Sequence, residues 1–433
     1  MLFGIRFRSV WHALIWMVCS LVFITTSGAD AALVGTVNFL SSSPQKNMSG
    51  FLHGVGSTVP SDTLISQLKP AYWRLEPYNT MMYSRAVKTG AVIEIVVSDG
   101  YGYPANNWGG HGAPWENNWA NWENYVSQLA TQYQNTPVYW DIWNEPDTVS
   151  WNTAQFWNGT PAQFYETYRR AYNILRQKLG PNAMIGGPSY ANYDQAALTA
   201  FLTYCNQNNL QVNFLTWHDL SDVDFSIPSV AQHLSYMRSL ANSMPNLNVR
   251  KIILNETVGP QITYFPADIL AFLYYLEKGG ADGANRACWN DSLGSNNCYN
   301  NSLDGIVNPA DGQPRASWWA YKILASRVAT SSQSSNLVVM AGKNPAQVLV
   351  GYFGQGMPTP AQVTINLRNL GAIGQKSSTL KVNISKVPNN GEADVPNLIP
   401  VGLWTVGVVN GSATVTLPTA NLHEEYVLTL IPS

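Results

Sequence analysis

Short apolar runs rich in β-branched and aromatic residues recur along the first three quarters of the chain. They are Phe51–Val55, Ala71–Leu75, Val92–Val97, Val138–Trp143, Met184–Gly187, Phe214–Trp217, Lys251–Leu254 and Gly283–Trp289. Runs this short, bounded by turn residues, read as buried strands. The segments between them have helical spacing. Pro60-Ser61-Asp62 opens one helix and Trp119–Gln132 is another. Pro161–Leu179 is the clearest, with Phe164, Tyr168, Ala171, Tyr172 and Leu175 on one face and Gly180-Pro181 as its stop. Strands alternating with helices in this way predict an α/β fold, a (β/α)8 TIM barrel over residues 51–329, whose last helix is Ser317–Arg327.

The pattern then changes. Thr330-Ser331-Ser332-Gln333-Ser334-Ser335 is polar and reads as a linker. Beyond it lie alternating runs without a helical period: Leu337–Ala341, Gln347–Phe353, Gln362–Leu367, Thr379–Ile384, Gly411–Leu417 and Glu425–Leu430. They predict an antiparallel β-sandwich over residues 336–433. Leu33–Leu40 alternates as well, so residues 33–50 are expected to lend that sandwich a further strand.

Residues 1–32 read as an export signal. Arg6 and Arg8 precede an apolar run from Val10 to Ile24, and the small residues Ser27-Gly28-Ala29-Asp30-Ala31-Ala32 follow. The run is short for a membrane span, which needs about 20 residues. Cleavage near Ala29 to Ala32 and a secreted or periplasmic product are therefore expected, with a retained anchor as the alternative. In an oxidising compartment Cys288 and Cys298, which bracket a polar loop, suit a disulfide, leaving Cys205 as a lone thiol on a helix. No Cys/His spacing suggests a metal site, and no cofactor is implied.

Composition narrows the partners. Of the 433 residues 45% are hydrophobic and 12% charged, a globular balance, and a net charge of −2 gives no reason to expect nucleic acid. The 16 Trp and 22 Tyr offer flat apolar faces with polar edges, which suit sugars as well as cores.

Two glutamates carry the strongest signal. In Trp140-Asp141-Ile142-Trp143-Asn144-Glu145-Pro146-Asp147 an apolar strand runs into a proline, which lacks an N–H and ends the ladder. Glu145 thus falls at the carboxyl end of the fourth barrel strand, where this fold places its chemistry. Lys251-Ile252-Ile253-Leu254-Asn255-Glu256-Thr257 repeats the arrangement on the seventh. Two facing carboxyls, one protonated and one ionised, are what glycoside hydrolysis requires. The plainer reading of either glutamate alone is an ordinary surface or salt-bridged side chain.

The Trp-Asn-Glu-Pro motif after an apolar strand resembles the acid/base motif of the large (β/α)8 glycosidase clan, clan A. Within it the chain is most similar to glycoside hydrolase family 39, which includes β-xylosidases and relatives acting on bacterial exopolysaccharides. Phe214-Leu215-Thr216-Trp217-His218-Asp219 is similar to that family's strand-six motif, whereas Thr257 after the second glutamate departs from its usual pattern. The resemblance implies a retaining hydrolase of β-type glycosidic bonds, with Glu145 as acid/base, Glu256 as nucleophile and Asn144 binding the sugar 2-hydroxyl. It also implies that Arg74 braces the carboxylates and that His218 contacts the nucleophile or a sugar hydroxyl. Trp289 would stack under the sugar, and His53, at the end of the first strand, would hydrogen-bond it. The plainer alternatives are an ion pair of Arg74 with Glu76 or Asp62, and core positions for His218, Trp289 and His53.

The loop from Ser98 through Tyr101, Tyr103, Trp108, Trp115 and Trp119, with Trp151, Phe156 and Trp157 after strand four, is expected to wall the cleft. A carbohydrate partner follows, without a membrane once the signal is removed. The same residues would serve a transglycosylase, and a non-catalytic sugar-binding protein on a barrel is the alternative of a different class.

Overall fold

The computed structural model describes residues 33–41, 46–77, 79–100, 114, 119–147, 156, 157, 159–220, 226–325, 330–334, 336–354 and 356–433. The region of the expected export signal, and Tyr101, Tyr103, Trp108, Trp115 and Trp151 of the expected cleft walls, lie outside the described residues. Strand β1 (Leu33–Asn38) precedes the barrel. The barrel runs β2 (Gly50–Phe51), α1 (Asp62–Gln67), β3 (Tyr72–Leu75), α2 (Thr80–Lys88), β4 (Val92–Val96), α3 (Trp119–Gln132), β5 (Val138–Asp141) and α4 (Pro161–Leu179). It continues through β6 (Met184–Tyr190), α5 (Gln195–Gln207), β7 (Phe214–Asp219), α6 (Ser229–Asn242), β8 (Lys251–Thr257), α7 (Pro266–Gly279), β9 (Gly283–Arg286) and α8 (Ala316–Leu324).

Every neighbouring pair from β2 to β9 is parallel and in sequence order. β9 returns beside β2, so close that a Cβ on Gly50 would collide with the Ala284 carbonyl. Helix α4 shows how the sequence sets a boundary. Thr160 and Gln163 cap its first turn reciprocally, Pro161 takes the first helical position, and Gly180 ends it at φ 79°. Phe164, Tyr168, Ala171 and Leu175 form the buried stripe that the spacing predicts.

Strand ends differ from the sequence reading mainly at the mouth. β2, β5 and β9 stop at Phe51, Asp141 and Arg286, while β7 and β8 run on to Asp219 and Thr257. The lower interior holds an apolar layer of Tyr72, Phe214 and Ile253, with Val92, Tyr139 and Met184 packed against it.

The C-terminal strands are β10 (Thr330–Ser334), β11 (Leu337–Lys343), β12 (Ala346–Tyr352), β13 (Ala361–Arg368), β14 (Thr379–Val387), β15 (Ile399–Gly407), β16 (Ala413–Ala420) and β17 (Glu425–Ile431). One sheet is ordered β1-β13-β16 and the other β10-β11-β12-β17-β14-β15, and a separate apolar core fills the space between them. Three points correct the sequence reading. β1 does join this unit, but it pairs parallel with β13, so the sandwich is not wholly antiparallel. Thr330–Ser334 is a strand paired with β11 and not a linker, because an edge ladder needs only backbone groups. β15 was hidden by Pro400 and Gly402 and by the edge position that leaves Val401 and Leu403 exposed on its outer face.

The sandwich is fastened to the barrel at α7 and α8. His423 Nδ1 lies 2.7 Å from Asp268 Oδ2, and Trp319 Nε1 donates to Val395 O at 2.6 Å. Cys288 and Cys298 form a disulfide, and Cys205 is a buried thiol on α5. Among the described residues no helix is long and apolar enough to cross a membrane.

Candidate active site

The chain leaves β5 under strain. Trp143 and Glu145 both have positive φ, 83° and 46°, a region that bulky residues avoid. Such strain persists where the surroundings over-determine it. Here the Trp143 ring is wedged edge-on against Trp122 and Trp157, its Nε1 donates to Phe156 O, and Glu145 N donates to Ser189 O at 2.8 Å. Trp157, expected to wall the cleft, is therefore core, and Phe156 contributes its carbonyl to the same packing. Trp119 sits at the start of α3 under the Arg170 guanidinium.

β8 reaches the mouth through a bulge. Trp217 pairs with Leu254 but His218 pairs with Glu256, leaving Asn255 as the extra residue. A bulge of this kind bends the strand and re-aims the side chains beyond it.

Five of the seven site residues named from the sequence converge. One ligand atom each from Glu145, His218 and Glu256 lies within 4.8 Å of the other two. His218 Nδ1 is 2.9 Å from Glu145 Oε1, and its Nε2 is 3.7 Å from Glu256 Oε1. Arg74 donates from Nη1 to Glu256 Oε1 at 3.0 Å and from Nη2 to Asn144 Oδ1 at 2.8 Å. Its Nε and Nη2 also reach Asp141 Oδ2, at 3.0 and 2.8 Å. The alternative partners are otherwise engaged: Asp62 pairs with Arg85, and Glu76 accepts from Tyr299. The side chains of Glu145 and Glu256 are only 14% and 18% exposed, enough for a ligand to reach their tips.

Trp289 and His53 stand apart from this group. Trp289 lies three residues past the end of β9, half-buried, with Nε1 donating to Val258 O at 2.8 Å. That N–H is therefore committed to backbone. His53 lies two residues past β2, and its ring stacks on Tyr299 with centroids 5.7 Å apart.

The electrostatics separate the groups. Burial pushes Glu145 up to about 7, against a smaller lowering by Arg74. Burial also raises Glu256, but His218 and Arg74 both oppose it. Burial lowers His218 to about 4, so the imidazole is neutral near pH 7. One tautomer then suits both neighbours: Nδ1 accepts a hydrogen bond from the protonated Glu145 while Nε2–H points at an ionised Glu256.

Sequence reasoning missed the floor beneath. Glu94, Asp141, Ser189, Thr216, Asn255 and Asn285 are all buried and face the barrel interior. Asn255 Nδ2 lies 2.9 Å from Glu94 Oε1, 3.0 Å from Asp141 Oδ2 and 2.8 Å from Ser189 Oγ, and Ser189 Oγ donates to Asp141 Oδ1 at 2.5 Å. The available signal was Glu94 itself, a lone carboxyl inside Val92-Ile93-Glu94-Ile95-Val96.

Glu145, His218 and Glu256 have the composition of a metal-ligand set. The Arg74 guanidinium already pairs with Glu256 Oε1, so an ion held by this set would lie beside a fixed positive charge.

This fold, with paired carboxyls at its mouth, is similar to that of solved glycoside hydrolases. The sequence model for Glycosyl hydrolases family 39 matches residues 109–262, the stretch carrying Glu145, His218 and Glu256. Solved structures share the architecture. A Neocallimastix frontalis protein is 20% identical, with 93% of this chain and 100% of that one covered at a TM-score of 0.70. A family 39 enzyme from Xanthomonas axonopodis pv. citri is 14% identical over 95% and 99% of the two chains, at 0.65. A 4-O-α-L-rhamnosyl-β-D-glucuronidase from Fusarium oxysporum is 13% identical over 91% and 100%, at 0.58. No curated protein sequence gives a significant match.

Proposed function

We propose that the chain is an exported retaining glycosidase that cleaves β-type bonds in an oligo- or polysaccharide, with Glu256 as nucleophile and Glu145 as acid/base. The observation that carries this reading is the placing of the two carboxyls within 4.8 Å of each other and of one shared imidazole. Retaining enzymes hold the pair about 5–5.5 Å apart, whereas inverting enzymes leave roughly 6.5–9.5 Å for a water.

Glu256 carboxylate attacks the anomeric carbon as its bond to the leaving oxygen breaks, and the Glu145 proton moves to that oxygen. A glycosyl ester on Glu256 results. Glu145, now ionised, takes a proton from water as the water oxygen attacks the same carbon, and Glu256 departs as carboxylate. Arg74 on Oε1 of Glu256 leaves Oε2 free to attack and favours the ionised form. Asn144 is held by its Oδ1 on Arg74, which leaves its Nδ2 to donate to a sugar hydroxyl. Export is supported by the N-terminal pattern and by the Cys288–Cys298 disulfide, a bond suited to oxidising compartments.

The test is separate replacement of Glu145 and Glu256 by Ala, assayed on a panel of aryl glycosides with NMR of the anomeric product. Each variant is expected to lose about 10³-fold or more in kcat. Azide should restore Glu256→Ala as an inverted glycosyl azide and Glu145→Ala as a retained one. Full activity in either variant, or inversion by the wild type, ends the proposal.

A further inference from the structure

Glu94 is fully buried at the middle of β4, and hydrolysis as derived above does not use it. We infer that Glu94 is a positioning residue for Glu256, acting through Asn255 and Arg74 rather than on the substrate, and this rests on the reading of Glu256 as nucleophile.

Asn255 is the extra residue of β8, so the sheet ladder does not fix it, yet it immediately precedes Glu256. Its amide is fixed from below. Nδ2 is 2.9 Å from Glu94 Oε1, and Glu94 Oε2 is met on its other side by Asn285 Nδ2 at 3.4 Å. Glu94 Oε1 also lies 3.6 Å from Arg74 Nε, beneath the guanidinium whose far nitrogen holds Glu256. Glu94 thus touches both side chains that aim the carboxylate of Glu256, one through the backbone and one through an ion pair.

The charge state follows from the surroundings. Facing Glu94 are Arg74 and Tyr72 from β3, Asp141 and Tyr139 from β5, the amide of Asn255 from β8 and that of Asn285 from β9. Arg74 is the one cation among them, and its nitrogens are already shared by Asp141 and Glu256. Burial and Asp141 accordingly push Glu94 well above the ordinary carboxylate range. A neutral carboxyl can donate as well as accept. Asn285 Oδ1 is buried without a partner, and turning that amide over places it as acceptor for the Glu94 proton. As a neutral strut Glu94 ties β4, β8 and β9 together without drawing Arg74 away from Glu256.

The test compares Glu94→Met, Glu94→Gln and Asn255→Ala with Glu256→Ala in parallel. Glu94→Met and Asn255→Ala are each expected to lower kcat by about 10- to 100-fold with little change in KM, the size of effect that misplacing a reacting group produces. The acid limb of the pH profile should move with them. Glu94→Gln, neutral and able to donate and accept, should recover activity to within about 3-fold of wild type, and the Met/Ala double variant should be no worse than the poorer single. Folded Glu94→Met and Asn255→Ala enzymes with wild-type kcat and acid limb overturn the inference. If Glu256→Ala itself remains active, the nucleophile reading has failed instead. Crystal structures of Glu94→Gln and Asn255→Ala give a readout that needs no substrate and no Met variant. Loss of the Arg74–Glu256 contact in Asn255→Ala and its retention in Glu94→Gln support the inference, and its retention in both overturns it.

Discussion

The two ends of the barrel are built from the same eight strands and filled by opposite rules. At the lower end Tyr72, Phe214 and Ile253 close the interior with an apolar layer, and Gly186 lies flat so that the Phe214 ring can cross it. At the mouth the carboxyls of Glu94, Asp141, Glu145 and Glu256 surround the guanidinium of Arg74. The first arrangement is what burial favours, roughly 25 cal/mol per Å2 of apolar surface. The second opposes it, since a buried carboxyl is costly unless it is paired or neutralised. Positive φ at Trp143, Glu145 and Ser189 falls at the mouth too. Apolar burial is concentrated at one end of the strands and buried carboxyls at the other.

Arg74→Met is the sharpest way to break that contrast. It removes the ion pair to Glu256 and leaves Asp141 buried without its cation. A loss of about 10²- to 10³-fold in kcat/KM is expected, together with about 3–5 kcal/mol of stability. Because Arg74 lowers both Glu145 and Glu256, both limbs of the pH profile should shift upward. Chemical denaturation beside a pH–rate profile checks this, and a folded variant with unshifted limbs would refute it.

Phe214→Ala is the counterpart at the lower end. The ring is fully buried and sits 5.2 Å from Tyr139, so its removal should cost about 3–5 kcal/mol. Turnover per folded molecule should not change. A fall in kcat larger than the loss of folded protein would mean that the two ends are coupled.

The mouth was legible where chemistry interrupts a strand, and much less so where polar side chains merely line one. Asn144-Glu145-Pro146 and Glu256 stand out because proline or an acid ends an apolar run. Asp141, Ser189 and Asn285 are polar residues within strands, and alternation cannot tell an inward polar residue from an outward one without the barrel's register. Helices with capping signals, Pro161–Leu179 above all, had boundaries that local chemistry fixes. β15 and Thr330–Ser334 did not, because edge strands are held by partners distant in sequence.

Glu145→Gln separates the two ends by the sign of its effect on stability. The Glu145 carboxyl titrates near its ordinary 4.5 in the unfolded chain and at about 7 in the fold. Its folded form therefore favours the proton, and the stability it contributes is complete below pH 4.5 and lost as pH rises through about 7. Gln cannot ionise, so the variant should unfold at the same denaturant concentration as wild type at pH 4 and at a higher one at pH 8. The gain is at most about 3 kcal/mol. With Glu145 as the proposed acid/base, the same titration is expected to set the alkaline limb of kcat/KM near pH 7 in wild type. Equal stability of the two proteins at pH 8 would show that Glu145 is not held in its protonated form by the fold.

The smallest expected effect lies where the sandwich meets the barrel. His423, at φ 66°, donates its backbone N–H to Tyr352 O and accepts from Ala267 N, while its ring stacks on Phe265 and its Nδ1 meets Asp268. His423→Ala keeps the backbone bonds and loses the ring. Asp268 is not left wholly uncompensated, because it occupies the first turn of α7, where the helix dipole favours an acid. The cost should therefore be about 1–2 kcal/mol, seen as a modest fall in Tm with kcat and KM unchanged. The barrel sheet carries the side chains of the paired-carboxyl site, so weakening this fastening has no route to Glu145 or Glu256 through the contacts described. A drop in kcat without a drop in Tm would show such a route, and would move the sandwich from a stabilising module to a part of the active site.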